Sequence, residues 1–386
     1  MIKKFAMLLA GMFFTVAVYA AAAQLRPDHP DTYTVRRGDT LWDISARFLS
    51  KPWLWPEIWQ ANPQVRNPHL IYPGDVLNLS MSVGSGPRLS MEPRVRSEGD
   101  AVPAIPLADL RMFLKEMRVM GADDVDRLPY LVGFEESHLR ASPGNKIYAR
   151  DLDSAQPGQR WAIVRPSNRF RDHGTYSGDK DMLNNPSHGA FVADELDSDA
   201  SMAPSPWRED SRHDTHTGRG VDRGVEVSVI GTAEVIAVQP EHNVASLVLV
   251  DSTQEIRKGD RLMQVDDKPY DPYFYPHAPK GLPRDGRVIG IADGNFAGSR
   301  QVVSISAGSA DGVDNGTTFT VMDQGEVIPD EVGGNYERRD TSRKVKLPDE
   351  FAGHLMVFRT FDHVSYALVM DAYRPIRKGQ KLVMPE

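Results

Sequence analysis

The block between Tyr33 and Leu79 constrains the fold of this chain more than any other part of the sequence. It opens with Tyr33-Thr34-Val35 and closes with Val76–Leu79, and both segments are rich in the branched and aromatic residues that suit a strand. Between them, Gly38-Asp39-Thr40 turns the chain and offers either its aspartate or its threonine as the cap of a helix. One apolar stripe of that helix would be formed by Leu41, Ile44, Ser45 and Phe48.

A second helix is expected from about Trp55, because Pro56 suits a first helical turn, where the missing amide hydrogen costs little. It would end near Asn62, because Pro63 disfavours helical geometry in the residue before it. Pro73-Gly74 then makes a tight turn into the closing strand. The block therefore predicts a small α+β module in the order strand, helix, helix, strand (βααβ).

This block resembles the LysM family, whose marks occur in order as Tyr33-x-Val35, Gly38-Asp39-Thr40-Leu41, Asn62 and Ile71-x-Pro73-Gly74-Asp75-x-Leu77. We assign residues 31–80 to such a domain. The resemblance implies binding to N-acetylglucosamine units of peptidoglycan or chitin, in a groove between the loops that follow the first strand and precede the second. Carried over by position, the expected binding residues are Gly38, Asp39, Thr40, Leu41, Asn67, His69, Leu70 and Ile71.

The residues of the block fit such a ligand on chemical grounds. An uncharged sugar with acetamide groups requires exposed backbone hydrogen-bonding groups and small apolar pockets, which two loops can supply. Basic and acidic side chains balance across residues 31–80, which argues against a polyanionic ligand. The tryptophan-rich segment Lys51–Trp59 has two open interpretations: its rings fill the core of a very small domain, or they form an exposed platform for sugar or for a partner protein.

Residues 1–23 have the pattern of an export signal peptide, with Lys3 and Lys4 before the apolar run Phe5–Ala20 and small residues at Ala21-Ala22-Ala23. An uncleaved membrane anchor is the alternative interpretation. The chain has no cysteine, which excludes disulfides and lipid attachment at a cysteine. Removal of the signal takes the formal charge from -8 to about -10, so the mature protein is acidic and unsuited to nucleic acid. No later apolar segment is long enough to span a bilayer.

The rest of the chain is predicted to have four regions. Residues 81–106 are rich in glycine and proline and are expected to form a flexible linker. Residues 107–171 mix helix and strand, beginning with an amphipathic helix that would end near Gly121. Residues 172–224 have the polar composition of a disordered insertion, in which scattered histidines are expected to be solvated rather than to bind metal. Residues 225–386 are β-rich.

This β-rich region contains an internal repeat. Gly231–Val250 has the pattern of a hairpin and is followed by Asp251 and then by Ile256-Arg257-Lys258-Gly259. Gly353–Met370 has the same pattern and is followed by Asp371 and Ile376-Arg377-Lys378-Gly379. The repeat predicts two similar β modules. Between the copies, two alternating segments flank a glycine-rich stretch and are expected to pair as a hairpin, namely Val302–Ser306 and Thr317–Met322.

The C-terminal half resembles the type IV pilus secretin-associated protein family (TsaP), above all through the stretch Leu347–Val369. The order of signal peptide, LysM block, linker and β region fits that family, and residues 172–224 would be an insertion relative to it. The resemblance implies a periplasmic, peptidoglycan-associated protein of the Gram-negative envelope. It would tie the outer-membrane secretin ring of the type IV pilus machinery to the glycan strands of the cell wall.

Two other functions remain open at this stage. One is a general wall-bound scaffold for flagellar or other envelope machinery. The other is an unrecognised cell-wall hydrolase, because LysM modules are often fused to such enzymes. The absence of cysteine excludes Cys-His peptidases, and no His-Glu-x-x-His occurs. We therefore expect a protein that is not an enzyme, with no catalytic residues, no metal and no cofactor.

Overall fold

The computed structural model describes residues 25–56, 71–82, 86–91, 110–135, 141–152, 155–172, 192–194, 203, 205–207, 221–265, 274–283, 286–292, 294–325, 327–330 and 344–385. The predicted signal peptide, the histidines at positions 173, 188, 213 and 216, and most of the predicted second helix lie outside these residues. The chain divides into two compact units, Met1–Val102 and Pro103–Glu386.

The N-terminal unit is built on a small antiparallel sheet with strand order β1-β2-β3. Its elements are β1 (Thr32–Thr34), α1 (Leu41–Phe48), a 3-10 turn (Pro52–Leu54), β2 (Val76–Ser82) and β3 (Gly86–Met91). The apolar stripe predicted for α1 is buried as expected, together with Trp42. Trp53 and Trp55 are also buried, and the Trp42 and Trp53 rings lie 6.4 Å apart, so these tryptophans belong to the core.

Strand β3 lies in the stretch that was predicted to be a flexible linker. It pairs with β2 through the register Leu79↔Leu89, and the Leu89 side chain is fully buried. The prediction failed here because Gly86 and Pro87, which suggest a break in the chain, stand at the end of a strand on the sheet edge, where proline is tolerated. The linker expected over residues 81–106 therefore does not begin at 81.

The second unit contains an eight-stranded sheet with the order β4-β9-β10-β6-β5-β11-β7-β8, in which β7 also pairs with β9. Its strands are β4 (Met117–Met120), β5 (Tyr130–Phe134), β6 (Lys146–Arg150), β7 (Arg160–Asp172), β8 (Val192–Asp194), β9 (Val221–Gln239), β10 (Val244–Ser252) and β11 (Arg261–Gln264). Two short helices precede β4 and β5, α2 (Arg111–Lys115) and α3 (Ala122–Asp126). The predicted boundary at residue 225 thus falls inside β9, and strands β4, β5, β6 and β7, which precede that boundary, belong to the same sheet as β9.

Helix α2 ends earlier than its apolar periodicity predicted. The chain from Met117 to Met120 is a strand paired with β9, beginning at Met117↔Ser228. Leu110, Phe113 and Met117 are all buried, so the apolar pattern marks core residues both in helix α2 and in the strand that follows it. Pairing with the long strand β9 overrides the local helical preference in the second half of the segment.

The same unit contains a six-stranded antiparallel sheet with the order β12-β13-β18-β17-β14-β19, and a two-stranded ribbon. The strands of the sheet are β12 (Val288–Ile291), β13 (Val302–Ile305), β14 (Thr318–Asp323), β17 (Glu350–Thr360), β18 (Ser365–Ala372) and β19 (Lys381–Val383), and the ribbon pairs β15 (Val327–Pro329) with β16 (Lys344–Lys346). Strands β13 and β14 do not form the predicted hairpin, because the β17–β18 hairpin lies between them.

The repeat seen in the sequence is part of a longer structural duplication. We call residues 129–262 module 1 and residues 286–382 module 2. Three backbone hydrogen bonds of module 1 have counterparts of nearly equal length in module 2. In module 1 they join Gly144 N to Leu249 O (2.7 Å), Gly158 N to Val235 O (2.8 Å) and Gly259 N to Leu131 O (2.8 Å). The counterparts in module 2, in the same order, join Arg300 N to Val369 O (2.7 Å), Gly316 N to Val357 O (2.7 Å) and Gly379 N to Val288 O (2.8 Å). The predicted fold class, a small α+β domain followed by a β-rich region with two similar modules, is confirmed.

Parts of the predicted insertion are ordered elements of this unit. Strand β8 pairs with β7, and Trp207 is 3% exposed and forms a bridge with Ala292 beside β12. The Trp207 indole packs against the rings of Phe113, Phe170 and Tyr366. Disorder therefore does not describe these residues, because one large aromatic side chain in a polar stretch finds a buried site between the two sheets.

Candidate functional site

The first wall of the candidate groove is the loop from Arg36 to Thr40. Gly38 has the left-handed φ of +90°, is exposed, and has open space where a Cβ would project. The carboxylate of Asp39 accepts hydrogen bonds from the backbone N of Arg36 at 2.7 Å and from the Tyr33 hydroxyl at 2.8 Å. This loop is therefore a turn fixed by its own aspartate, with Gly38 at its exposed tip.

Tyr33 ties this turn to the sheet. Burial raises the pKa of the Tyr33 hydroxyl above its ordinary value, and its hydrogen bond to Asp39 raises it further. The Arg47 guanidinium lies over the Tyr33 ring at 4.7 Å. The hydroxyl therefore remains protonated at neutral pH and acts as a donor that holds Asp39 in place.

Thr40 and Leu41 face the interior instead of the predicted groove. Thr40 caps α1: its hydroxyl accepts from the Asp43 backbone N at 3.1 Å, and the Asp43 carboxylate accepts from the Thr40 backbone N at 3.1 Å. The Thr40 side chain is 4% exposed and that of Leu41 is fully buried. The Thr40 side chain is engaged in the capping box and the Leu41 side chain packs in the core. Only the backbone of these two residues can therefore contribute to a binding surface.

The second wall lies before β2 and uses the same kind of turn. Gly74 has a φ of +94°, and the Asp75 carboxylate accepts from the Tyr72 backbone N at 2.9 Å. Ile71 is fully buried, so its side chain packs in the core. The remaining predicted residues of this wall, Asn67, His69 and Leu70, lie outside the described residues.

Backbone hydrogen bonds bring the two walls together at Val35. The Val35 N donates to the Asp75 carbonyl at 2.9 Å, and the Gly74 N donates to the Val35 carbonyl at 2.7 Å. The structure therefore places Gly38 and Asp39 on a turn that follows directly after the contact with the Gly74 turn. The roles of Tyr33 and Asp75 were not predicted from the sequence. Both turns nevertheless end in Gly-Asp, as Gly38-Asp39 and Gly74-Asp75, and this shared pattern could have indicated that Asp75 fixes its own turn.

The chemistry of this site suits a neutral ligand. The carboxylates of Asp39, Asp43 and Asp75 each accept a hydrogen bond from a backbone N–H three residues earlier in the chain. These carboxylates therefore stabilise the local backbone. A surface formed largely by backbone groups with a glycine at its tip can hydrogen-bond the acetamide and hydroxyl groups of an uncharged sugar. In the described part of the chain, no group of three or more histidine, aspartate or glutamate side chains could hold a metal ion.

Comparison with known proteins identifies this unit. The model of the LysM domain family matches residues 33–80. Residues 33–80 form a LysM domain. LysM domains bind the N-acetylglucosamine units of peptidoglycan, so carbohydrate binding in the cell wall is the activity to which this domain points. It is a binding domain and not a catalytic one.

A protein of Bacillus subtilis (strain 168), the uncharacterised protein YqbP, is similar to part of this chain. The two are 38% identical over 60 residues, which amount to 13% of this chain and 27% of YqbP. This chain thus matches about a quarter of the length of that relative. No helix in the described part of the chain has the length and apolar character needed to cross a membrane.

Proposed function

We propose that this chain is a non-enzymatic, periplasmic protein that anchors the outer-membrane secretin ring of a type IV pilus machine to peptidoglycan. The observation that carries the proposal is the division into two compact units of unequal size. The LysM domain lies in the smaller unit and supplies a contact to the wall. The larger unit, with its duplicated β modules, is then free to hold a protein partner.

Wall binding through the LysM domain uses its two glycine-aspartate turns. Gly38 is exposed at the tip of the first turn, and both aspartates are bonded within their own turns. A site of this kind has no net charge to attract a polyanion and relies on backbone hydrogen bonds and shape. Single LysM–glycan contacts would be weak, and they would add through high effective concentration if several copies surround a symmetric ring.

The choice of a secretin as partner rests on the resemblance of Leu347–Val369 to the secretin-associated family. This stretch contains β17 and most of β18, and its alternating residues form the core of module 2. The resemblance therefore concerns the fold of module 2 and not one particular contact surface. Pilus extension and retraction load the secretin ring, which gives a physical need for such an anchor.

The test follows the secretin in cells that make no copy of this chain. We expect that the secretin then no longer sediments with purified sacculi, and that the wild-type chain restores this sedimentation. The chain with Gly38→Lys should still co-precipitate the secretin but should not restore its attachment to the wall. If the secretin sediments with sacculi equally well with and without the chain, the anchoring function is excluded.

A further inference from the structure

The duplication provides an internal comparison for one surface of module 2. Tyr373 and Arg374 follow Asp371 in module 2 as Thr253 and Gln254 follow Asp251 in module 1. The surrounding hydrogen bonds are matched between the modules, so the fold of this corner does not require an aromatic ring or an arginine at these positions. Tyr373 and Arg374 therefore distinguish this corner of module 2 from its counterpart in module 1.

These residues border a shallow groove of about 400 Å³, lined by residues 296–299 and 372–375, which we call the aromatic groove. Phe296 is 55% exposed and Tyr373 is 74% exposed, more than any other large apolar side chain in the described residues. The Tyr373 ring is supported by Phe351, at 5.3 Å between centroids. Exposed rings on either side of small residues form a platform for a flat or extended ligand.

Arginines accompany the rings on this surface of an otherwise acidic protein. The Arg377 guanidinium lies 5.3 Å from the centroid of Phe296, and Arg374 forms an exposed ion pair with Glu350. Arg300, next to the groove loop, has a φ of +69° where its counterpart in module 1 is Gly144 with a φ of +91°. A left-handed backbone is unfavourable for a residue with a Cβ, so the backbone at Arg300 carries strain that its glycine counterpart does not.

We propose that the aromatic groove binds the peptide-bearing part of peptidoglycan, an N-acetylmuramyl peptide with free carboxylates. This inference rests on the proposed function, because it assumes that the LysM domain brings the chain to the wall. The apolar face of a sugar ring can lie on an aromatic ring, and a guanidinium can hold a carboxylate through paired charge-assisted hydrogen bonds. An open groove also suits a polymer better than an enclosed small molecule.

The groove would complement the LysM domain instead of duplicating it. The LysM turns suit the uncharged amino sugar, whereas the aromatic groove combines rings with positive charge and so suits the anionic muramyl peptide. Two contacts with one polymer raise the effective concentration of the second ligand at its site. An acidic protein segment would pair with the arginines but would not use the two exposed rings. The rings therefore favour the ligand that contains a sugar.

The absence of cysteine in the chain allows a local test in the full-length protein. A fluorophore attached through Ser299→Cys would lie in the groove. In a second protein, which serves as the control, the same fluorophore attached through Ser142→Cys would lie on the matching loop of module 1. We expect a disaccharide-tetrapeptide fragment of peptidoglycan to give a saturable signal at the first label and none at the second. A tetramer of N-acetylglucosamine, which has no carboxylate, should give no signal at either.

Two variants test whether the rings and the arginine are responsible. The double change Phe296→Ala and Tyr373→Ala, in exposed positions, should weaken the signal by about tenfold or more. The change Tyr373→Thr with Arg374→Gln should do the same, and the fold accepts it, because module 1 carries those residues at the same corner. Equal affinity in these variants, or no saturable signal at the groove label, would overturn the proposal.

The LysM site and the groove can fail separately in this design. With Gly38→Lys, the response of the groove label to the soluble fragment should remain, because the label reports only its own surroundings. If polyglutamate gives a response as strong as the peptidoglycan fragment, the ligand class is wrong and the groove recognises acidic polypeptide. Amidation of the peptide carboxylates should weaken the response to the fragment, as expected of contacts with arginine.

Discussion

The carboxylate of Glu226 accepts a hydrogen bond from the hydroxyl of Tyr366, a residue 140 positions further along the chain. Glu226 belongs to β9 of the eight-stranded sheet and Tyr366 to β18 of the six-stranded sheet, and both side chains are fully buried. The Trp207 indole N donates to the same carboxylate at 2.6 Å and the Ser167 hydroxyl at 2.7 Å. Protonation of one carboxyl is therefore coupled to the packing of the two sheets.

We predict that Glu226→Gln removes a pH-dependent part of the stability of this unit. Burial raises the pKa of Glu226 above its ordinary value, against the lowering effect of hydrogen bonds from Tyr366, Trp207 and Ser167. A carboxyl with a higher pKa in the folded state binds its proton more tightly there. Its contribution to stability is thus complete below the unfolded pKa of about 4.5 and is lost as pH rises through the folded pKa.

Thermal unfolding between about pH 4.5 and 8 measures this effect, since one pKa unit of difference between the two states corresponds to about 1.4 kcal/mol. Wild-type protein should lose stability relative to Glu226→Gln as pH rises. The control is Glu234→Gln, which removes a half-exposed carboxylate on the same strand and should follow the wild type. If the Glu226→Gln and wild-type curves are parallel, the carboxyl does not control the pH response.

Trp207 offers a second prediction at the same junction. Its ring lies 5.3 Å from Tyr366, 5.7 Å from Phe113 and 6.1 Å from Phe170. Trp207→Ala should therefore destabilise the unit by about 3–5 kcal/mol through the cavity that it leaves. Trp207→Phe keeps much of the ring but removes the donor to Glu226, at a cost of about 1–3 kcal/mol.

Urea unfolding of the two variants measures these costs. Trp161→Phe is the matched control, because the buried Trp161 indole nitrogen has no hydrogen-bond partner among the described residues. That change should cost less than Trp207→Phe. Equal effects of the two phenylalanine substitutions would show that the bond from Trp207 to Glu226 contributes little to stability.

Arg165 and Asp260 lead to a third prediction. They form a buried ion pair at 2.7 and 2.9 Å, and Asp260 also accepts the Arg257 backbone N at 2.7 Å. In module 2, the neutral Gln380 fills the place of Asp260 and accepts the Arg377 backbone N at 3.0 Å. Asp260→Ala should cost about 3–5 kcal/mol, because it leaves the Arg165 charge buried without its partner.

A double-mutant cycle separates the charge from the turn. Asp260→Gln keeps an acceptor for the Arg257 N, as in module 2, yet still leaves the Arg165 charge unpaired. Adding Arg165→Met should therefore recover much of the lost stability, because it removes that charge and keeps an apolar side chain of similar length. Purely additive changes in the urea midpoint would show that the two side chains do not depend on each other.

Local patterns made some of this fold predictable. Helix α1 was predicted because its cap and stripe lie within a few residues, and the two copies of the Ile-Arg-Lys-Gly turn were predicted because their sequences are nearly the same. The first halves of the modules have diverged, and only matched hydrogen bonds such as Gly158 N to Val235 O and Gly316 N to Val357 O reveal them. Strand β4 was missed because its partner β9 lies far along the chain, where no local pattern can indicate it.

The candidate site was predictable in position but not in side-chain direction. The shared motif located both turns, and the exposed Gly38 has the left-handed backbone that such a turn requires. It did not separate residues that line a surface from those that stabilise it, so Leu41 and Ile71 were assigned to the groove although both are fully buried. The Tyr33–Asp39 hydrogen bond was missed because it joins a strand to a turn through side chains alone.

The difference between the exposed Gly38 and the buried Ile71 decides which substitution can test the LysM groove. Ile71→Lys would place a charge in the core and unfold the domain, so a loss of binding would say nothing about the groove. Gly38→Lys projects a long side chain into open space at the tip of the turn, at a backbone cost of about 1 kcal/mol. We expect it to abolish co-sedimentation with sacculi while the domain remains folded.

Two controls separate obstruction from backbone strain. Asparagine tolerates the left-handed backbone that Gly38 adopts, so Gly38→Asn should retain most of the binding. Gly144→Lys places the same side chain on a similar exposed turn in module 1, where φ is +91° and no atom lies within 4 Å of the added Cβ. Its co-sedimentation should match the wild type. If Gly38→Lys also binds sacculi normally, the glycan does not pass over the Gly38 turn, and the groove must lie on another face of the LysM domain.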